Sequence, residues 1–291
     1  MRLRNCLMLF LLLCVSSCSS TKNFTEEGAT TVFDVHLHGS KDIDSQIQDL
    51  KSSGVKIGAV STSWDMQTHY NNRAGIKILL GLMLPCPDGK VPYSLQSCFD
   101  NGNEWPDLHW VEQQMINKKI DFIGEVLSQY YGISSSDSLL FPYYALAAKY
   151  DLPVGIHTGG AGQNHGSPNF KYAMGNPELL RVTLLKFPRL RIWLMHAGDP
   201  FWQEAIVIMK EFPNVYTDIS VIDNPEIVSA EDFKEIMKAL IDAGLEDRIM
   251  FGSDNASLST TITSVHNLHF LSPEQKEKIF YKNAQAFFKQ L

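Results

Sequence analysis

Eight short apolar runs recur along this chain, each bounded by Gly, Pro, Asn or Asp and separated from the next by amphipathic stretches. They are VFDVHLH (32–38), KIGAVSTSW (56–64), KILLGLMLP (77–85), DFIGEVLSQ (121–129), LPVGIHT (152–158), RIWLMHAG (191–198), VYTDIS (215–220) and RIMFGSD (248–254). Runs this uniformly apolar suit strands of a parallel sheet buried on both faces. Helices are expected between them, at 42–53, 107–119, 137–150, 177–187, 200–212, 230–243 and 258–269, with a last one after Ser272-Pro273. Asn176-Pro177, Asp199-Pro200 and Ser272-Pro273 each read as a cap followed by proline in the first turn. Eight strands alternating with helices predict an α/β fold, a (β/α)8 TIM barrel. An open doubly wound sheet is the alternative, but no Gly-rich phosphate fingerprint follows the first strand.

At 291 residues the chain could hold two domains of roughly 150 residues, yet α/β barrels commonly run to about 250 as one. The N-terminus decides between these. Residues 1–17 carry Arg2 and Arg4, then nine apolar residues from Leu7 to Val15. That is too short to span ~30 Å of hydrocarbon and reads as a signal peptide. Val15-Ser16-Ser17-Cys18 resembles a bacterial lipobox, which implies cleavage before Cys18 and lipidation of its thiol; two or more acyl chains anchor stably. A plain secretory signal cut nearby is the alternative. Residues 18–30 form a polar tether, and 31–291 the barrel. Cleavage there leaves 274 residues and moves the net charge from −7 to −9. The expected location is the cell envelope, on a bacterial membrane through the lipid anchor alone. Cys86 and Cys98 then remain in an oxidising compartment, where they pair or stay as two buried thiols. The acidic balance excludes a nucleic-acid binder, which needs a basic face.

Reactive groups of such a barrel sit at the C-terminal ends of its strands. There the chain places His36 and His38, Glu125, His157, His196 and Asp254. Residues two apart on a strand share a face, so His36 and His38 can reach one ion; by the same count Asp34 shares it, deeper, as a hydrogen-bonding support. A mixed imidazole and carboxylate set suits zinc first, with manganese or iron(II) as alternatives. Any one such histidine alone would read as a hydrogen-bonded core residue; five strand ends together do not.

The motifs DVHLH, IGEV, GIHTG, LMHAG and FGSD, with IFYKNAQAFF at the C-terminus, resemble the amidohydrolase superfamily. The likeness is to its amidohydrolase-related branch, which includes aminocarboxymuconate-semialdehyde decarboxylase-like enzymes, and it spans nearly all of 31–291. The resemblance implies a divalent metal held by His36, His38, His157 and Asp254, with Glu125 as bridge or support. One ion is expected, with room for a second. It implies Asp254 as the proton acceptor from a metal-activated water and His196 as a catalytic or orienting group. The expected reaction is hydrolysis of a small-molecule amide, ester, lactone or phosphoester. A non-oxidative decarboxylase of the same branch and a lipid-anchored binding protein that has lost catalysis are the alternatives. A homodimer is compatible with the resemblance.

His165, in the Gly-rich loop after the fifth strand, and Trp64, ending the second, are candidate substrate contacts; a solvated loop histidine and aromatic packing are the competing readings. The irregular stretch 86–106 is a candidate lid. Arg73, Lys77 or Lys171 could hold a substrate carboxylate, although lone cations are usually only solvated. His69, His109, His266 and His269 lack ligand spacing and read as surface or helix residues.

Overall fold

The computed structural model describes residues 30–70, 75–92, 94–99, 102–160 and 166–289. The signal segment, Cys18, Arg73 and His165 lie outside them. Among the described residues no helix is long and apolar enough to cross a membrane.

The chain alternates as its hydrophobic runs dictate. β1 (Val32–His38), α1 (Ile43–Ser52), β2 (Val55–Thr62), α2 (Trp64–Tyr70) and β3 (Lys77–Leu84) come first. α3 (Leu108–Ile116), β4 (Phe122–Val126), α4 (Ser128–Tyr131), α5 (Phe141–Lys149) and β5 (Val154–Ile156) follow. Next are α6 (Arg181–Lys186), β6 (Ile192–Leu194), α7 (Trp202–Glu211), β7 (Val215–Asp218) and α8 (Ala230–Asp242). β8 (Ile249–Met250), α9 (Leu258–His266), α10 (Pro273–Glu277) and α11 (Asn283–Phe288) complete the barrel. The sheet is parallel throughout, in the order β1 to β8. Val35 N–H donates to Phe251 O (3.0 Å) and Asp254 N–H to His36 O (2.9 Å), joining the last strand to the first. Beyond them the Asn255 amide both donates to and accepts from the His38 backbone, each at 3.0 Å, extending the seam with a side chain.

Two apolar clusters hold this arrangement. The larger fills the space between sheet and helices. The smaller lies inside the barrel, where Phe33, Val35, Phe122 and Trp193 meet Phe287 and Phe288 of α11, which plugs one end. Room for these rings comes from glycine: a Cβ on Gly81 would sit 2.2 Å from the Phe122 ring, and one on Gly155 2.3 Å from that of Trp193.

Three expectations are corrected. A register irregularity between Asp34 and Leu37 breaks the period-two alternation of β1. Phe33 and Val35 therefore belong to the interior cluster below, and Asp34 does not share a face with His36 and His38. Its Oδ1 instead accepts from the backbone N–H groups of His36 (3.1 Å) and Ser253 (3.0 Å), tying β1 to the chain after β8. Asp199 does not cap α7, which starts at Trp202 because the chain first makes a 3-10 turn over Met195–Gly198. Asn176 does cap, accepting from Glu178 N, but the helix opens with 3-10 geometry over Pro177–Leu180.

The described residues of the stretch after β3 form a cross-linked rim. Cys86 and Cys98 are disulfide-bonded, Lys90 and Ser97 form an antiparallel bridge, and Tyr131 Oη donates to Glu104 (2.8 Å). Trp64 belongs to the packing beneath it, edge-on to Trp110 with centroids 4.6 Å apart, its backbone N–H donating to Cys98 O.

Candidate metal centre

His36, His38, Glu125, His157, His196 and Asp254 converge at one end of the barrel. All but His38 and Asp254 are buried, and these two reach the mouth with side chains 13% and 24% exposed. The late strands stop short of these groups: His157 follows β5 directly, His196 sits in the 3-10 turn after β6, and Asp254 lies four residues past β8. Turning so sharply costs backbone freedom. His196 (φ 63°), Asp254 (φ 50°), Asn255 (φ 59°) and Val221 (φ 67°) all occupy the left-handed region, where side chains are disfavoured and which recurs at functional sites.

The hydrogen bonds fix which ring atom each histidine turns inward. His36 Nδ1 donates to Asp218 Oδ2 (3.1 Å) and His38 Nδ1 to Ser61 O (3.3 Å). For His157 the partner is Gln129 Oε1 at 2.8 Å. Gln129 spends its NH2 on Gly159 O and Tyr172 O, so its oxygen must face the ring and accept. Each Nδ1 thus carries a proton, so that it is Nε2 that each ring can offer to a bound cation. This is how a metal-binding imidazole is held by its outer partner. His36 Nε2 is buried without a hydrogen-bond partner.

The donor atoms fall into two groups. His36, His38 and Asp254 offer atoms within 4.8 Å of one another, and so do His36, Glu125 and His196. Asp254 Oδ1 lies 2.8 Å from His38 Nε2 and 3.9 Å from His36 Nε2; Glu125 reaches His38 Nε2 at 3.6 Å and His157 Nε2 at 3.9 Å. His36 is common to both groups and has one inward lone pair, so they are two sides of one centre. His157 borders it through Glu125. This donor set and the orphaned His36 Nε2 fit a divalent ion.

Asp218 and Ser220 complete the support. Ser220 Oγ donates to Asp218 Oδ1 (2.7 Å) and lies 2.9 Å from His196 Nδ1, which therefore donates to it and keeps its own Nε2 lone pair inward. Asp218 Oδ1 also accepts from His196 N and Ser220 N. Neither residue was singled out from the sequence. The available signal was the polar pair Asp218 and Ser220, two residues apart at the end of the VYTDIS run; Gln129 likewise ends DFIGEVLSQ.

The electrostatics follow. Burial works against the charged forms of His36 and His38, but Asp218 and Asp254 around His36, and Asp254 and Glu125 around His38, hold both rings above their usual value. Burial alone would raise Asp254, yet the His38 and His36 rings keep it well below the carboxylate range. Burial pushes Glu125 up, and burial with the neighbouring His36 pushes His196 down to about 4. A cation entering here replaces protons on His36 and His38.

Two larger crevices, about 480 and 570 Å³, lie between α1 and α9 and between α8 and α9, and none of the converging groups lines either. A third cavity, about 280 Å³, opens beside His196.

An eight-stranded parallel barrel with imidazole and carboxylate donors gathered at its mouth defines a metal-binding α/β-barrel enzyme scaffold. Residues 124–290 match the amidohydrolase family, and the chain belongs to it. No curated protein matches the chain. Among solved structures, an uncharacterised TIM-barrel protein from Bordetella bronchiseptica has a TM-score of 0.63 at 16% identity, with 89% of this chain and 99% of that one covered. A 5-carboxyvanillate decarboxylase from Novosphingobium aromaticivorans, solved with manganese and 3-methoxy-4-hydroxy-5-nitrobenzoic acid, gives 0.61 at 12%, covering 91% and 98%. An amidohydrolase from Burkholderia multivorans with bound zinc gives 0.58 at 13%, covering 89% and 99%. At these identities the likeness shows the barrel fold. Family and donor set together support an enzyme that uses a divalent metal.

Proposed function

We propose that this protein is an exported, metal-dependent hydrolase that cleaves a small-molecule amide, ester, lactone or phosphoester. The observation that carries the reading is the convergence of the His36, His38 and His157 Nε2 atoms with Asp254 and Glu125, each ring's Nδ1 being tied to an acceptor. His36, His38 and Asp254 would hold the ion, with Glu125 and His157 completing its surroundings. A divalent ion bound there supplies Lewis-acid activation of water and of the scissile group.

The chain's own groups then divide the proton work. Asp254, kept ionised by the two rings and open to the mouth, accepts the proton of the attacking water and returns it to the leaving group. His196, neutral and with an inward Nε2 lone pair, acts as a further ligand or proton acceptor. Its orientation depends on the Ser220–Asp218 pair. Buried Glu125 sets the electrostatics between the two sides of the centre.

A decarboxylase is the second reading, favoured by the barrel's likeness to the manganese-bound 5-carboxyvanillate decarboxylase. One experiment separates the two: metal-replete protein assayed against lactones, esters, amides and phosphoesters, and in parallel for carbon dioxide release from aromatic acids. Turnover in the first set alone is expected. Carbon dioxide release without hydrolysis would replace the reading.

Export rests on the 1–17 signal pattern, and the Cys86–Cys98 disulfide supports it, because such bonds persist in oxidising compartments. Lipidation at Cys18 is tested by metabolic labelling with palmitate: labelling lost in Cys18→Ser supports it, and an unlabelled wild-type chain contradicts it.

A further inference from the structure

The cavity beside His196 has a chemistry of its own. Its walls are mainly apolar, from Tyr172, Pro200, Val221 and Ile227. Ile227 and Tyr172 are 63% and 49% exposed, an apolar surface that a ligand would cover. Val221 is a β-branched residue held at φ 67°, a conformation seldom kept without a function. At about 280 Å³ the space sits at the small end of ligand pockets, ~300–1,000 Å³, and takes a group of about one ring.

Besides His196, the ionisable groups of the lining are Asp199 and the Tyr172 phenol; no lysine or arginine lines it among the described residues. The Asp199 carboxylate makes no hydrogen bond or ion pair among the described residues, although its backbone N–H and C=O are both engaged. It stands in the pocket wall without a positive partner among the described residues. A carboxylate-bearing substrate group would meet a like charge here and no counter-ion, whereas an ammonium would supply what Asp199 lacks.

We propose that this pocket receives an apolar substrate group carrying a protonated amine, with Asp199 as its anchor and Tyr172 and Ile227 as its walls. The inference rests on the hydrolase reading and narrows it to esters or amides of cationic apolar compounds. Hydrolysis adds water across the acyl bond, releasing a carboxylic acid and an alcohol or amine, and needs no further reactant.

The test uses metal-replete protein and 4-nitrophenyl esters of phenylacetic acids bearing a para aminomethyl, ethyl or carboxymethyl group. The expected order of kcat/KM is cation, neutral, anion, with roughly tenfold between the first two, the scale of one charge-assisted contact. Asp199→Asn should bring the cation-to-neutral ratio close to one. Ile227→Lys, at an exposed position, should shift the preference toward the anion. A wild-type ratio near one, or one that Asp199→Asn leaves intact, overturns the proposal. Binding of 4-ethylbenzylamine and 4-ethylbenzyl alcohol, measured by calorimetry, separates this from the hydrolase reading. If no ester is turned over but the amine still binds preferentially and loses that preference in Asp199→Asn, the pocket assignment stands and the hydrolase reading fails. Equal binding of amine and alcohol overturns the pocket assignment itself.

Discussion

Replacing Asp218 by Asn changes one atom type in a fully buried carboxylate and should cripple metal binding without any ligand being touched. Asp218 Oδ2 takes the His36 Nδ1 proton at 3.1 Å, while Oδ1 takes His196 N–H, Ser220 N–H and the Ser220 hydroxyl at 2.9, 3.1 and 2.7 Å. An asparagine keeps only one oxygen. Left toward the three Oδ1 donors, it turns an NH2 on His36 Nδ1 in place of the carboxylate acceptor; the ring proton then either opposes that NH2 with only Ser220 Oγ (3.0 Å) to accept it, or moves to Nε2, the atom facing the centre, where a ring N–H cannot bind a cation. Flipped, the amide preserves the His36 contact but sets its NH2 against two backbone N–H groups, each left buried and unsatisfied at about 1–3 kcal/mol. Either arrangement opposes the liganded form. Loss of such an outer partner typically weakens metal affinity ten- to a hundredfold, about 1.4–2.8 kcal/mol. The assay is competition for zinc against a chromophoric chelator, with Asp223→Asn as the control. Asp223 is equally buried, and among the described residues its carboxylate oxygens have no hydrogen-bond partner. A dissociation constant within about twofold of wild type for Asp218→Asn would refute the assignment of inward Nε2 lone pairs.

Asp254→Asn should lower turnover about 10²–10⁴-fold, the range for losing a positioned acid–base group, with a melting temperature near wild type; retained turnover contradicts its role. Asp223 has both carboxylate oxygens unpartnered, and burial, then Asp34 and Asp218, lift it well above its ordinary value of 3.8. A carboxyl raised on folding contributes its stability below the unfolded value and loses it as pH rises, so at pH 7 it weakens the fold. Asp223→Asn is therefore expected to melt a few degrees higher at pH 7, an advantage that shrinks toward pH 4; a lower melting temperature at pH 7 counts against this. The Cys86–Cys98 bridge closes a short loop, worth about 3 kcal/mol by loop entropy. Replacing both cysteines by serine should cost several degrees in thermal melts, and an unchanged midpoint would mean the bond constrains little.

The barrel was legible because parallel strands covered by helices must be apolar on both faces, and eight such runs leave little else to build. Strand lengths were not. RIWLMHAG and RIMFGSD read as continuous strands, yet β6 and β8 stop early because the chain turns to aim His196 and Asp254. The inward histidines were found because imidazoles at strand ends stand out. Their supports were not, since Asp218, Ser220 and Gln129 resemble ordinary strand-end polar residues until their partners, up to 184 residues away in sequence, are seen. Period-two counting placed Asp34 on the wrong face because a bulge in β1 leaves no mark in the sequence. The pairing of Cys86 with Cys98 was open for the same reason: it depends on a loop path that composition does not encode.

Dependence of hydrolysis on a metal held by this cluster is what every role proposed above requires. It is tested most directly by stripping the purified protein with a chelator, adding back zinc or manganese stepwise, and following bound metal and hydrolytic turnover on the same sample. Negligible turnover is expected without metal, with a rise in proportion to bound ion that levels near one equivalent. Turnover that survives chelation, or that ignores the metal bound, would contradict it.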